Sequence, residues 1–355
     1  MIKKPTQKCL VWLAAILLTT LPDTSHANVP DAGTLVSTIT AACKQHPALT
    51  TLAVATAAYG ISYATTQIMS HNKQIQVELV NYSAPQSTAT TAQGNYLLVH
   101  GLAESHKQAL WYIKKPSNRP FIIDGQLFTY DFPDVTQHFW RVNFTQTGLG
   151  QHHEVMGLKS AYEQTIATLN EQGASNKDVI LVGMSRGATT ILNFMGLHKP
   201  ENVKALVVES PFDATHSIAK NMLKKMHLDG VPGMQTIAHW IMSAVFWQHS
   251  TSGICAKDMV ETIDKELPIL LVCSKQDKLV PAESTTALYQ ALKKSGHTKV
   301  HIYTAETGRH GRILYDSDCH NYQHVTHAFY KKYGLPHDPA LATLGASLFD
   351  QCQPL

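Results

Sequence analysis

The 355-residue chain carries 29 Lys and Arg against 26 Asp and Glu, a formal charge of +3. That near balance excludes a nucleic-acid protein held by bulk charge, because such domains carry a clustered basic excess. With 44% hydrophobic and 15% charged residues the chain is too apolar to be disordered, and six Cys are too few for a disulfide-built scaffold of this length.

The chain opens Met1-Ile2-Lys3-Lys4, adds Lys8, and runs apolar from Cys9 to Leu21 before Ser25-His26-Ala27. A basic head, a short apolar core and small residues two apart predict a signal peptide over residues 1–27, hence export to a periplasm or beyond. Cleavage after Ala27 removes Lys3, Lys4, Lys8 and Asp23. An uncleaved anchor is the alternative, for which the apolar run is short.

No charged residue lies between Lys44 and Lys73. Ala48 to Met69 has the length of a membrane span but is rich in Ala and Thr, so it would insert weakly. Residues 28–73 are therefore read as an N-terminal apolar segment, either a membrane anchor or a helix packed on the domain. Cys9 leaves with the leader. Cys43, Cys255, Cys319 and Cys352 allow up to two bridges of undetermined pairing, while Cys273 sits in an apolar run and is expected as a buried thiol.

Residues 74–355 alternate strand and helix. Gln74 to Leu79 alternates apolar and polar, as a half-buried strand does. Tyr96–Val99, Leu127–Tyr130, Val179–Val182, Ala205–Val208, Ile269–Val272 and Val300–Tyr303 are short apolar runs expected as strands. Helical spacing recurs in Val155, Leu158, Tyr162, Ile166 and Leu169, closed by Gly173, and in Ser284 to Lys294, closed by Gly296. Strands alternating with helices predict an α/β fold, with a mostly parallel sheet and helices on both faces. Residues 213–253 are too long for a simple crossover and read as a small helical cap, with Trp240, Phe246 and Trp247 either lining an acyl pocket or sealing the cap.

Directly after the strand at Val179 comes Gly183-Met184-Ser185-Arg186-Gly187, followed by a helical pattern. A serine on a tight strand-to-helix turn, flanked by glycines, is a candidate nucleophile. It needs a base, and the base needs an orienting group. Asp277 follows the strand at Ile269 and His310 follows the strand at Val300, so Asp277 is the candidate acid and His310 the candidate base. Asp213 is the rival acid. An oxyanion needs donors. The Arg186 N–H is one, and the loop His100-Gly101-Leu102 supplies the other, Leu102 ahead of Gly101. The Arg186 side chain either binds a substrate carboxylate or packs beside the turn. His100 is expected to brace its loop.

On these pieces the chain from about Tyr96 to Tyr333 resembles the α/β-hydrolase superfamily. Leu97-Leu98-Val99-His100-Gly101, the serine turn, Asp277 with Val280-Pro281, and His310 stand in the family's order. The resemblance implies an eight-stranded sheet, an acyl-serine mechanism and no cofactor. The Asp277 segment and small cap look like the branch of serine aminopeptidases, acylglycerol lipases and related esterases. One departure is Asp131-Phe132-Pro133-Asp134, where family members often carry Asp-x-Arg-Gly-x-Gly.

His320, His324 and His327 share a helix face, but without a completing ligand they read as a solvated face and no metal is expected. His152-His153 reads as a surface feature at a helix entry. The expected activity is serine hydrolysis of carboxylic esters, with a small ester, lipid or short peptide as substrate and no nucleic-acid partner. A serine peptidase and a non-catalytic, membrane-held binding protein are the alternatives.

Overall fold

The computed structural model describes residues 74–82, 94–102, 104–110, 125–134, 148–225, 227–230, 233–246 and 253–352. The chain separates into two units, residues 1–72 and 73–355, and all described residues belong to the second. The leader, Cys43, the segment Ala48 to Met69 and Trp247 lie outside the described residues, as do the side chains of Trp240 and Val245. Among the described residues no helix is long and apolar enough to cross a membrane.

In chain order the elements are β1 (Val77–Tyr82), β2 (Gly94–Val99), α1 (His106–Ala109), β3 (Gly125–Tyr130), α2 (His152–Glu171), β4 (Val179–Met184), α3 (Arg186–His198) and β5 (Val203–Glu209). There follow α4 (Thr215–Lys225), α5 (Met234–Val245), α6 (Ala256–Met259), β6 (Ile269–Ser274), α7 (Ala282–Lys294), β7 (Val300–Ala305), α8 (Cys319–Lys332) and α9 (Pro339–Asp350). The sheet runs β1-β3-β2-β4-β5-β6-β7, with β1 antiparallel to β3 and every other pairing parallel. Seven strands, not the eight implied by the resemblance, are present among the described residues. β1 also starts later and runs further than its sequence pattern, because it pairs along the whole of β3, Val77 opposite Tyr130 and Tyr82 opposite Gly125.

The apolar runs work because side chains alternate across a strand. Leu97, Val99, Leu181, Leu206, Val208, Ile269 and Leu271 face one layer, under α2, α3 and α7. Tyr96, Leu98, Ile180, Val182, Ala205, Val207, Leu270 and Val272 face the other, under α8 and α9. Each buried Val, Leu or Ile contributes about 1.5–3 kcal/mol, so the central strands form a stiff base for the loops at their carboxyl ends.

α9 was not foreseen in the sequence, and it changes the reading of the histidine face. Asp338 caps α9 by accepting from Ala340 N and Leu341 N at 2.8 and 3.0 Å, with Pro339 in the first turn. α9 packs so closely on α8 that a Cβ on Gly345 would overlap the His324 carbonyl. His327 is fully buried and its Nδ1 accepts from the Asp338 N–H at 3.1 Å, so it braces two helices rather than facing solvent. Cys255, Cys273, Cys319 and Cys352 are all free, so the bridges allowed by the sequence do not form among these four.

Candidate active site

The serine turn is built by close approach. Ser185 sits between β4 and α3 at φ +53° and ψ −118°, a conformation that L-residues seldom adopt. Gly187 allows it, since a Cβ there would overlap the Val99 carbonyl and come within 2.6 Å of the His100 carbonyl. The turn packs directly on the end of β2, which sets Ser185 beside the His100-Gly101-Leu102 loop.

His310, after β7, reaches this serine: His310 Nε2 lies 2.8 Å from Ser185 Oγ. Its Nδ1 lies 2.7 Å from Asp277 Oδ2. With the carboxylate accepting from Nδ1–H, Nε2 is left to accept the serine proton. Asp277 is itself held on four sides. Its Oδ1 accepts from Leu279 N at 2.8 Å and Val280 N at 3.0 Å, and its Oδ2 also accepts from Ser210 Oγ at 3.0 Å. Ser210, at the end of β5 with φ +48°, was not singled out in the sequence. The rival Asp213 is engaged elsewhere: it accepts from the Ser284 hydroxyl, and from Ser217 Oγ at 3.2 Å.

The donors of the oxyanion loop separate as well. The Gly101 N–H donates to Glu104 Oε2 at 2.8 Å, which leaves Leu102 as the candidate from that loop. Burial pushes the Glu104 carboxyl above its ordinary range, while the bond from Gly101 and the charges of His310, Arg186 and Arg312 pull it back. The Arg186 N–H stands in the first turn of α3, where helices leave their N–H groups without intrahelical partners. Gly101, Leu102, Glu104, Met184, Ser185 and His310 line a cleft of about 300 Å³.

His100 braces its loop from beneath. It is fully buried, its Nδ1 donates to the Gly101 carbonyl at 2.8 Å, and its Nε2 accepts from Phe132 N at 3.3 Å. Burial first, and the charge of Arg186 second, push its pKa down to about 3, so the ring stays neutral. Phe246 packs with Leu102 and Met242 against Leu149, Phe212, Ile218 and Val280, which makes it a seal between cap and domain.

The Arg186 side chain turns away from the cleft. It is wholly buried, its Nη1 lies 2.8 Å from Asp134 Oδ2, and its guanidinium stacks 4.4 Å over the Phe132 ring. The departure at Asp131-Phe132-Pro133-Asp134 is thus the platform that holds the arginine, and a substrate carboxylate is not its partner. Glu154, in the first turn of α2, lies 3.7 Å from the same Nη1.

Burial, reinforced by the Asp134 charge and opposed by Arg186, pushes the Glu154 carboxyl from 4.5 up to about 7. Between those values the folded protein holds a proton that the unfolded chain releases. Stability on this account falls as pH rises from about 4.5 to about 7. Glu154→Gln removes that dependence. In thermal unfolding the variant is expected to gain on the parent at about pH 8 and not at about pH 4. Parallel curves for the two proteins at every pH would contradict this.

Among the described residues no group of three or more His, Cys, Asp or Glu is placed to hold a metal ion. His320 and His324 stack on each other 6.4 Å apart.

With this geometry in place, the family model of the prolyl oligopeptidase family matches residues 162–335, which contain Ser185, Asp277 and His310 in that order. Over that stretch, a little under half of the chain, it is similar to this family of serine hydrolases. The chain is also 28% identical over 151 residues to the uncharacterized protein YqkD of Bacillus subtilis, covering 41% of this chain and 46% of that protein. The chain thus matches about half the length of that curated relative. Among solved structures it is similar to an esterase of Pyrococcus furiosus, with TM-score 0.49 and 15% identity over 73% of this chain and 91% of that one. It is similar to an acylaminoacyl peptidase of Pyrococcus horikoshii, with TM-score 0.47 and 12% identity over 75% of this chain and 43% of that one. A puromycin-hydrolyzing peptidase of Mycobacterium tuberculosis gives TM-score 0.48 and 14% identity over 74% of this chain and 38% of that one.

Proposed function

We propose that this protein hydrolyses carboxylic esters through an acyl-Ser185 intermediate. The observation that carries the proposal is the unbroken hydrogen-bonded line from Ser185 Oγ through His310 to Asp277. Ser185 Oγ attacks the ester carbonyl carbon while His310 Nε2 takes the hydroxyl proton. The carbonyl π pair moves onto oxygen, where the Leu102 and Arg186 N–H groups stabilise it. The pair then returns, the C–O bond to the alkoxide breaks, and His310 delivers its proton to the departing oxygen. Water repeats the sequence on the acyl-serine, with His310 as base, and frees the acid. Asp277 keeps the ring in the Nδ1–H form and stabilises the imidazolium. The leader read in residues 1–27 supports work outside the cytoplasm.

A peptidase acting on short peptides is the second reading, favoured by the match to the prolyl oligopeptidase family. An ester places the smaller demand on this machinery, because attack on an amide must also break the C–N conjugation that keeps it planar. Profiling p-nitrophenyl esters beside aminoacyl amides decides between the two. Higher kcat/KM on the esters is expected, and higher kcat/KM on the amides would reverse the order.

A further inference from the structure

Beyond His310, on the side of the Asp277 loop, the cleft opens into a groove of about 510 Å³ lined by Gln276, Lys278, Leu279, Arg309, His310 and Arg312. His310 and Arg312 line both this groove and the Ser185 cleft, so the two adjoin. Among the described residues, Lys278, Arg309 and Arg312 have no carboxylate within ion-pair distance. Two acids of the neighbouring loops are engaged: Glu104 accepts from the Gly101 N–H and also feels the charge of Arg312, and Asp277 is bonded to His310.

Four surface lysines elsewhere on the domain do have carboxylate partners. Lys159 pairs with Glu163, Lys204 with Asp178 at 3.6 Å, Lys275 with Glu306 at 2.6 Å and Lys299 with Glu266 at 3.2 Å. α4 meets the Asp277 loop beside the groove, where Asn221 Nδ2 donates to the Lys278 carbonyl at 3.1 Å.

The departing oxygen receives its proton from His310 Nε2, so the leaving alcohol sits against His310, which also lines the groove of Lys278, Arg309 and Arg312. We propose that this groove selects esters whose alcohol portion carries an anion, a carboxylate or a phosphate, held by Lys278, Arg309 and Arg312. Arginine forks and a lysine suit both anions. The selectivity deepens the ester-hydrolase reading and rests on it.

The test compares kcat/KM for matched acetate esters whose alcohol carries a carboxylate, a phosphate or a neutral methyl ester. A dipeptide with a free C-terminal carboxylate and its C-terminal amide form a parallel pair. In the parent protein the anionic esters are expected to exceed the neutral one, with the preference shrinking as salt rises. In the triple variant Lys278→Gln, Arg309→Gln, Arg312→Gln, the anionic-to-neutral ratio is expected to fall about tenfold or more, mainly through KM. The carboxylate and phosphate arms show which anion the groove prefers. A ratio near one in the parent, or a ratio the triple variant leaves untouched, overturns the groove proposal while esters are still turned over. Inert esters beside dipeptides cleaved with an intact, variant-sensitive ratio would instead overturn the ester reading and keep the anion groove.

Discussion

Ser185→Ala is expected to lower kcat on any ester this protein cleaves by about 10⁶-fold, and His310→Ala by a similar factor. The reason is geometric. One proton moves along one line, from Ser185 Oγ to His310 Nε2 at 2.8 Å, and removing either end stops its transfer. The two effects do not add, so the double variant should be no slower than either single one. Asp277→Asn is expected to cost about 10⁴-fold, because its amide can turn an N–H toward His310 Nδ1 and favour the wrong tautomer. Steady-state kinetics on a p-nitrophenyl ester checks all of these. Turnover that survives His310→Ala would remove His310 from the mechanism, and turnover by none of the proteins would favour the non-catalytic alternative.

Asp134→Ala is expected to produce the largest loss of stability. Arg186 and Asp134 are both fully buried and 2.8 Å apart, and truncating the aspartate leaves a buried guanidinium without its shortest ion-pair contact. Breaking a buried pair in this way costs about 3–5 kcal/mol. For a domain of this size that lowers Tm by roughly 10 °C. Glu154 is too far from Nη1, at 3.7 Å, to replace the lost bond fully. The joint replacement Asp134→Leu with Arg186→Met removes both charges and should recover part of the loss, since a well-packed apolar pair can match a buried ion pair. The backbone N–H of Arg186 survives every one of these changes, so activity per folded molecule should hold better than Tm. Thermal unfolding of the three proteins tests the ordering. A single variant as stable as the parent would show that the pair does not anchor the serine turn.

What the sequence revealed follows from how local each feature is. The strands from β2 to β7 were legible because a strand buried on both faces must be continuously apolar. The serine turn was legible because its glycines are forced by close approach over five residues. Asp277 and His310 were legible because each lies on the loop directly after a later strand, and parallel strands bring such loops to one edge. Ser210, the partner of Asp277 across 67 residues, left no pattern of its own, although its place at the end of a strand beside β6 was a usable signal. The same holds for Asp134 and Arg186, whose pairing spans 52 residues and appeared in the sequence only as a departure at Asp131–Asp134. His327 was misread because helical spacing shows which residues share a face, not what covers that face. α9 covers it.

The most direct test of the account is active-site labelling with a fluorophosphonate, read by mass spectrometry of the digested protein. One adduct is expected, on Ser185, formed rapidly in the parent, far more slowly in His310→Ala and not at all in Ser185→Ala. Equal labelling of the parent and Ser185→Ala would contradict it.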